Sequence, residues 1–188
     1  MTSIAALVVG GSPDPWESLG FAKLSSEGSR TLFSLSDVQL IVDSSHQPGM
    51  VDWVLADAPF AGPSGPIGCI GVDHVVWRTN DLDATCDDIT RLTGAPRKRV
   101  RDAGNGVTQG FHRAGSVIIE VVAGGAPVEV PALWGFVVNV ADLNAVCNHV
   151  GPDVMGQPKN AVQQGRRIAT ARAMAGLGVP FALMDTVG

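Results

Sequence analysis

Two stretches of this chain share one alternation of apolar and polar positions. VDHVVWRTNDLDATC (72–86) and LWGFVVNVADLNAVC (133–147) align without a gap at a constant offset of 61 positions. Val76, Asp81, Leu82, Ala84 and Cys86 are answered by Val137, Asp142, Leu143, Ala145 and Cys147. In each, a β-branched run gives way to an aspartate and then to helical spacing, at Leu82, Cys86, Ile89 and Leu92 and at Leu143, Val146, Cys147 and Val150. Asn80 or Asp81, and Asp142, are placed to cap the helices, and Gly94 and Gly151 to end them. Extended segments follow at 97–101, 108–113 and 116–122, and again at 153–164, 167–172 and 179–185. The turns AGNG (103–106) and AGLG (175–178) supply residues that tolerate positive φ. Each unit therefore reads β-α-β-β-β over roughly 55–60 residues.

The N-terminal part reads as a truncated copy, with strands over 4–10, 32–35, 38–43 and 51–55 and one or two helical turns within 13–20. Three Gly and three Pro among residues 58–70 mark a linker. The pattern predicts an α+β protein of repeated βαβββ modules: a degenerate module at 1–57, the linker at 58–70, and full modules at 71–125 and 126–188.

Composition narrows the function class. Of 188 residues, 45% are hydrophobic and 16% charged, with net charge −5, so the chain is built to pack and offers no dense cationic run for nucleic-acid phosphates. The longest apolar stretches, 130–141 and 173–184, fall short of the ~20 residues of a membrane helix, and no basic leader precedes the first strand. Cys69, Cys86 and Cys147 are widely spaced without a CxxC pair, which suits a reducing cytoplasm. No P-loop, dinucleotide fingerprint, nucleophile elbow or HExxH is present.

His74, followed by the helix opened at NDLD (80–83), and Glu120 on the last strand of that unit resemble the vicinal oxygen chelate superfamily, which includes glyoxalase I, methylmalonyl-CoA epimerase, extradiol dioxygenases and the fosfomycin- and bleomycin-resistance proteins. DPWESLGF (14–21), GFHRAG (110–115) with IIEVV (118–122), and GRRIAT (165–170) with GLGVPFALM (176–184) are similar to a bacterial glyoxalase-like group. The resemblance implies that residues 71–188 pair into an eight-stranded cup, with metal ligands on the first and last strand of each module. On that pattern His74 and Glu120 are the ligand positions for a divalent metal (Zn, Ni, Mn or Fe). In the partner module Gly135 takes the place of His74 and Leu183 that of Glu120, and neither can ligate. His112, Gln109, Asn139 and Asp185 are the further donors within reach.

Strand alternation puts Val72, Val76 and Arg78 on the cup face with His74, and Ile118 and Val122 with Glu120. A carboxylate inside VIIEVV is costly to bury unless paired or ligated, so His74 and Glu120 are either a catalytic pair or a relic hydrogen bond. Arg78, Arg113 and Arg167 are candidates to grip a carboxylate or phosphate of a substrate, beside Gln109, His112 and Asn139. The basic run 97–101 reads as a solvated edge or as a seat for an anionic tail such as that of coenzyme A. Taken alone, His112 reads as a strand residue with a satisfied hydrogen bond, and Cys86 and Cys147 read as small core residues.

The expected function is a glyoxalase-like lyase or isomerase acting on an oxygen-bearing, anionic small molecule. With a metal, Glu120 is a ligand; without one, it is a general base oriented by His74. The alternative is a non-catalytic binding protein of the bleomycin-resistance kind. An unpaired third module has an edge and a face to cover, so a homodimer using residues 1–57 is expected, with no nucleic-acid or membrane partner.

Overall fold

Two aspartates start the repeat. Asp81 and Asp142 sit in extended conformation and accept hydrogen bonds from the Ala84 and Ala145 amides, so each closes the first turn of a helix in the same way. The computed structural model describes residues 2–186, leaving residue 1 of the first expected module and residues 187 and 188 of the last outside the described residues.

The chain runs β1 (Ser3–Gly10), α1 (Asp14–Leu19), β2 (Ala22–Glu27), β3 (Arg30–Ser34), β4 (Gln39–Asp43), β5 (Gly49–Ala56), β6 (Cys69–Thr79), α2 (Leu82–Thr93), β7 (Arg99–Gly104), β8 (Val107–Ala114), β9 (Val117–Ala123), β10 (Ala132–Val140), α3 (Leu143–Val150), β11 (Lys159–Asn160), β12 (Arg166–Thr170) and β13 (Phe181–Thr186). No described helix is long and apolar enough to cross a membrane. The order β-α-β-β-β occurs three times. In each module the first strand pairs in parallel with the last: β1 with β4, β6 with β9, β10 with β13. Antiparallel pairing of β6 with β10 joins the second and third modules into one eight-stranded sheet, ordered β11-β12-β13-β10-β6-β9-β8-β7.

The first module forms its own sheet, β2-β3-β4-β1-β5. There β5 lies antiparallel to β1, where the larger sheet has the partner module's first strand. Sequence reasoning missed β2, and for a physical reason. It is an edge strand with five of six residues exposed, so it carries no apolar alternation to read. In α2 the buried stripe is Thr85, Cys86, Ile89 and Thr93, while Leu92, expected in the core, is 58% exposed.

The first module packs against the helix side of the larger sheet. Trp16 of α1 is fully buried, stacked on Phe136 of β10 (5.8 Å between centroids, 10° between planes) and edge-on to Phe181 of β13 (5.3 Å). Asp37, in the β3–β4 turn, accepts from the Val72 amide at 2.8 Å and from the Ser116 hydroxyl. The indole N–H of Trp16 has no partner, so packing alone holds the ring. Trp16→Ala is therefore expected to cost about 3–5 kcal/mol in denaturant unfolding, whereas Trp16→Phe, which keeps most of the stacked surface, costs clearly less.

Candidate functional site

The site starts from a fault in strand pairing. Along the β6–β10 ladder Val137 faces His74 but Val138 faces Val72, so β6 carries one extra residue, a β-bulge at Asp73. The bulge breaks the expected alternation. Val72 turns into the core at 3% exposure, and Asp73 joins His74 on the cup face.

Asp73 is 8% exposed and collects three side-chain donors. His74 Nδ1 donates to its Oδ2 at 2.7 Å, Arg166 Nη1 to its Oδ1 at 2.7 Å, and Asn139 Nδ2 to its Oδ1 at 3.2 Å. Arg166 also donates to Asn139 Oδ1. Burial alone would push the Asp73 carboxyl up, but the hydrogen bonds from His74 and Arg166 prevail and hold it well below the usual carboxylate range. With Nδ1–H committed to Asp73, Nε2 of His74 points to Glu120, whose Oε2 lies 3.7 Å away. Glu120 Oε1 accepts from Gln109 Nε2 at 2.5 Å. Desolvation within the apolar strand pushes the Glu120 carboxyl up, against the opposing pull of His74 and Arg101.

His74, Gln109, Phe111 and Glu120 line a cavity of about 480 Å³, facing Ile168, Thr170 and Met184 of the third module, with Arg99, Arg101 and Lys159 around it. Of the expected site residues, Gln109 and Asn139 stand beside this pair. Four others lie elsewhere. Arg78 donates to the Ala126 carbonyl at 2.6 Å and lies over Trp134. Arg113 bonds the Ser116 carbonyl at the β8–β9 turn. His112 is buried on the opposite face of β8, its Nδ1 against the Ala95 carbonyl at 2.9 Å. Arg167 is bound to Asp185 and Asn144 on the helix side, because Ile168 and Thr170 line the cavity and alternation then gives the cup to Arg166. Asp185, engaged by Arg167, is no donor to the cup.

The partner half is emptied by its backbone. The register that pairs Val76 with Glu120 pairs its repeat mate Val137 with Ala182, so Ala182, not Leu183, answers Glu120. Leu183 is fully buried in the core. A Cβ at Gly135 would stand 2.3 Å from the Pro180 carbonyl oxygen, so no imidazole can replace it without moving β13. Among the described residues no three His, Cys, Asp or Glu side chains converge on one point. The donors are His74 Nε2, the Glu120 carboxylate and the amide oxygen of Gln109, which is buried without a hydrogen-bond partner. This set fits one face of a divalent-ion shell, with Asp73 orienting the imidazole.

No protein-family model matches this sequence, and no curated protein matches it. Solved structures do. Methylmalonyl-CoA epimerase from Mycobacterium tuberculosis is 17% identical with a TM-score of 0.54, over 66% of this chain and 93% of that one. Streptomyces coelicolor methylmalonyl-CoA epimerase in complex with 2-nitronate-propionyl-CoA is 16% identical (TM-score 0.51, 64% and 96% covered). A hypothetical protein from Bacillus halodurans is 13% identical (TM-score 0.50, 61% and 92%). The chain shares the fold of these proteins.

Asp73→Asn is expected to cost about 3 kcal/mol, because it leaves the Arg166 guanidinium without its countercharge. The Asp73 carboxyl is depressed in the folded state, so its contribution is complete above the unfolded value near ~4 and fades as pH falls below it. The gap in melting temperature between wild type and Asp73→Asn should therefore be constant from pH 7 to 5 and narrow toward pH 3.

Proposed function

We propose that this protein is an enzyme that moves a proton on a small oxygen-bearing molecule held in the cup between the second and third modules. The observation that carries the reading is Glu120. It is a partly buried carboxylate in an apolar strand, raised in pKa, and opposite an imidazole whose tautomer a second carboxylate sets. Two of the structural neighbours are epimerases, which favours isomerase chemistry for this cup as well.

In this reading Glu120 takes a proton from the carbon beside a substrate carbonyl, and the electron pair passes into that carbonyl to leave an enolate oxygen. Burial brings the Glu120 pKa nearer that of a useful base at neutral pH. His74 lines the cavity beside Glu120, and its hydrogen bond to Asp73 fixes the direction of the ring. Gln109 holds the other carboxylate oxygen and so fixes which one faces the substrate. Where a divalent metal is bound, His74, Glu120 and Gln109 would hold it, and it would supply polarisation of the substrate oxygens.

The lack of donors at Gly135 and Ala182 favours a second reading, a binding protein that uses the cup without chemistry. Deuterium uptake from D2O at the carbon beside the carbonyl of pyruvate, 2-oxobutyrate and methylmalonyl-CoA, followed by NMR, separates the two. Exchange above buffer that falls at least ~100-fold in Glu120→Gln supports the enzyme. No exchange with any probe supports the binding protein. The rate should rise with pH around a midpoint above the ordinary carboxylate range. Glu120→Gln should not destabilise the fold at pH 7: a raised folded pKa means that the ionised carboxylate opposes folding there, while the protonated carboxyl supports folding as pH falls through the folded value, in full below the unfolded one.

We also propose a homodimer through the first module, supported by the free edge of β5 and by Val51 and Val54 on it, 40% and 45% exposed. Light scattering at micromolar concentration should give twice the chain mass, and a monomer mass rejects the proposal.

A further inference from the structure

We infer that the ligand of this cup carries a dianionic end, a phosphoryl group or two adjacent carboxylates, seated among Arg99, Arg101 and Lys159. The inference rests on the reading of the cup as a ligand site and adds the class of molecule it takes. β7 and β11 are the two outer strands of the eight-stranded sheet, yet both line the cavity floored by His74 and Glu120. The sheet thus curls until its edges approach, and each edge brings cations to the opening.

Arg99 and Arg101 are two positions apart on β7 and point to the same side. The Arg99 guanidinium lies over the Phe111 ring, 4.5 Å from its centroid, which fixes its plane and leaves its N–H edge for a ligand. None of the three cations forms an ion pair within 4.0 Å among the described residues. Their neighbours do: Arg97 is paired with Asp83, Arg166 with Asp73, and Arg167 with Asp185. In a chain with 18 acidic against 13 basic residues, three unpaired cations around one opening are not ordinary surface charge. Cations that merely guard a strand edge would project away from a cavity, not line it. Asp73 is already neutralised by Arg166, so the cup holds three cations against the single carboxylate of Glu120. Two positive charges remain, and a dianion cancels them where a monoanion leaves one. At about 480 Å³ the cavity has the size of a small-molecule site, and its lining includes both the cations and Glu120.

The test is calorimetric titration of the purified full chain with inorganic phosphate, malonate and acetate at one ionic strength. Saturable binding of phosphate or malonate, at least about tenfold tighter than acetate, is expected. Phosphate alone assigns a phosphoryl end, malonate alone a dicarboxylate, and both assign the shared dianion chemistry. The Arg99→Gln/Arg101→Gln double variant should weaken binding about 100-fold and Lys159→Gln about tenfold, with circular dichroism melts unchanged because all three side chains are exposed. Glu120→Gln should bind phosphate or malonate at least as tightly as wild type. The inference is overturned if neither dianion binds more tightly than acetate, or if the double variant binds like wild type. Dianion binding without deuterium exchange leaves this inference standing and removes the catalytic reading. Exchange on pyruvate without dianion binding does the reverse.

Discussion

A buried carboxylate that must stay charged organises this molecule. Asp73 has almost no access to water, and an unpaired charge there would cost several kcal/mol. Its donors come from three strands in two modules: His74 beside it on β6, Asn139 on β10 and Arg166 on β12. The same demand for donors therefore locks the two halves of the cup together and sets the direction of the imidazole. Arg166 Nε remains buried without a partner, which adds to the cost of disturbing this cluster.

The two halves are repeats in topology but not in chemistry. Matching aspartate caps and matching parallel pairings show how closely they correspond. Yet the second half gives the cup Ala182 and Gly135 where the first gives Glu120 and His74. The close approach of Pro180 to Gly135 makes that asymmetry a property of the backbone. The second half contributes in another way, through the guanidinium and amide that neutralise Asp73 and through the apolar wall of Ile168 and Met184. The cup thus has its acid and imidazole on one side and Ile168 and Met184 on the other, which suits a ligand held by one reactive end.

The first module repeats the fold without a second half. β5 stands where a partner's first strand would, and Trp16 spends the module's short helix on Phe136 and Phe181 of the third module. Asp37 adds hydrogen bonds to β6 and the β8–β9 turn. These contacts support the larger sheet from its helix side and leave the cavity to the opposite face.

The repeat, the aspartate caps, the helices and most strands were legible in the sequence, because hydrophobic period and capping chemistry act over a few residues. So was Glu120, since a carboxylate in an apolar strand is conspicuous without coordinates. Three things were not legible. A bulge shifts alternation by one residue, so strict alternation gives the cup face to Val72 where the structure gives it to Asp73. Parity on β12 turns on a pairing register that no local signal sets, so the sequence pattern points to Arg167 where Arg166 reaches the cup. The three cations at the opening became one group only when the sheet curled and brought its outer strands over the same cavity. The chain by itself determined which units form and which residue in them is out of place. Tertiary structure alone decided which side chains meet, because strand register and sheet curvature arise from packing between modules far apart in sequence.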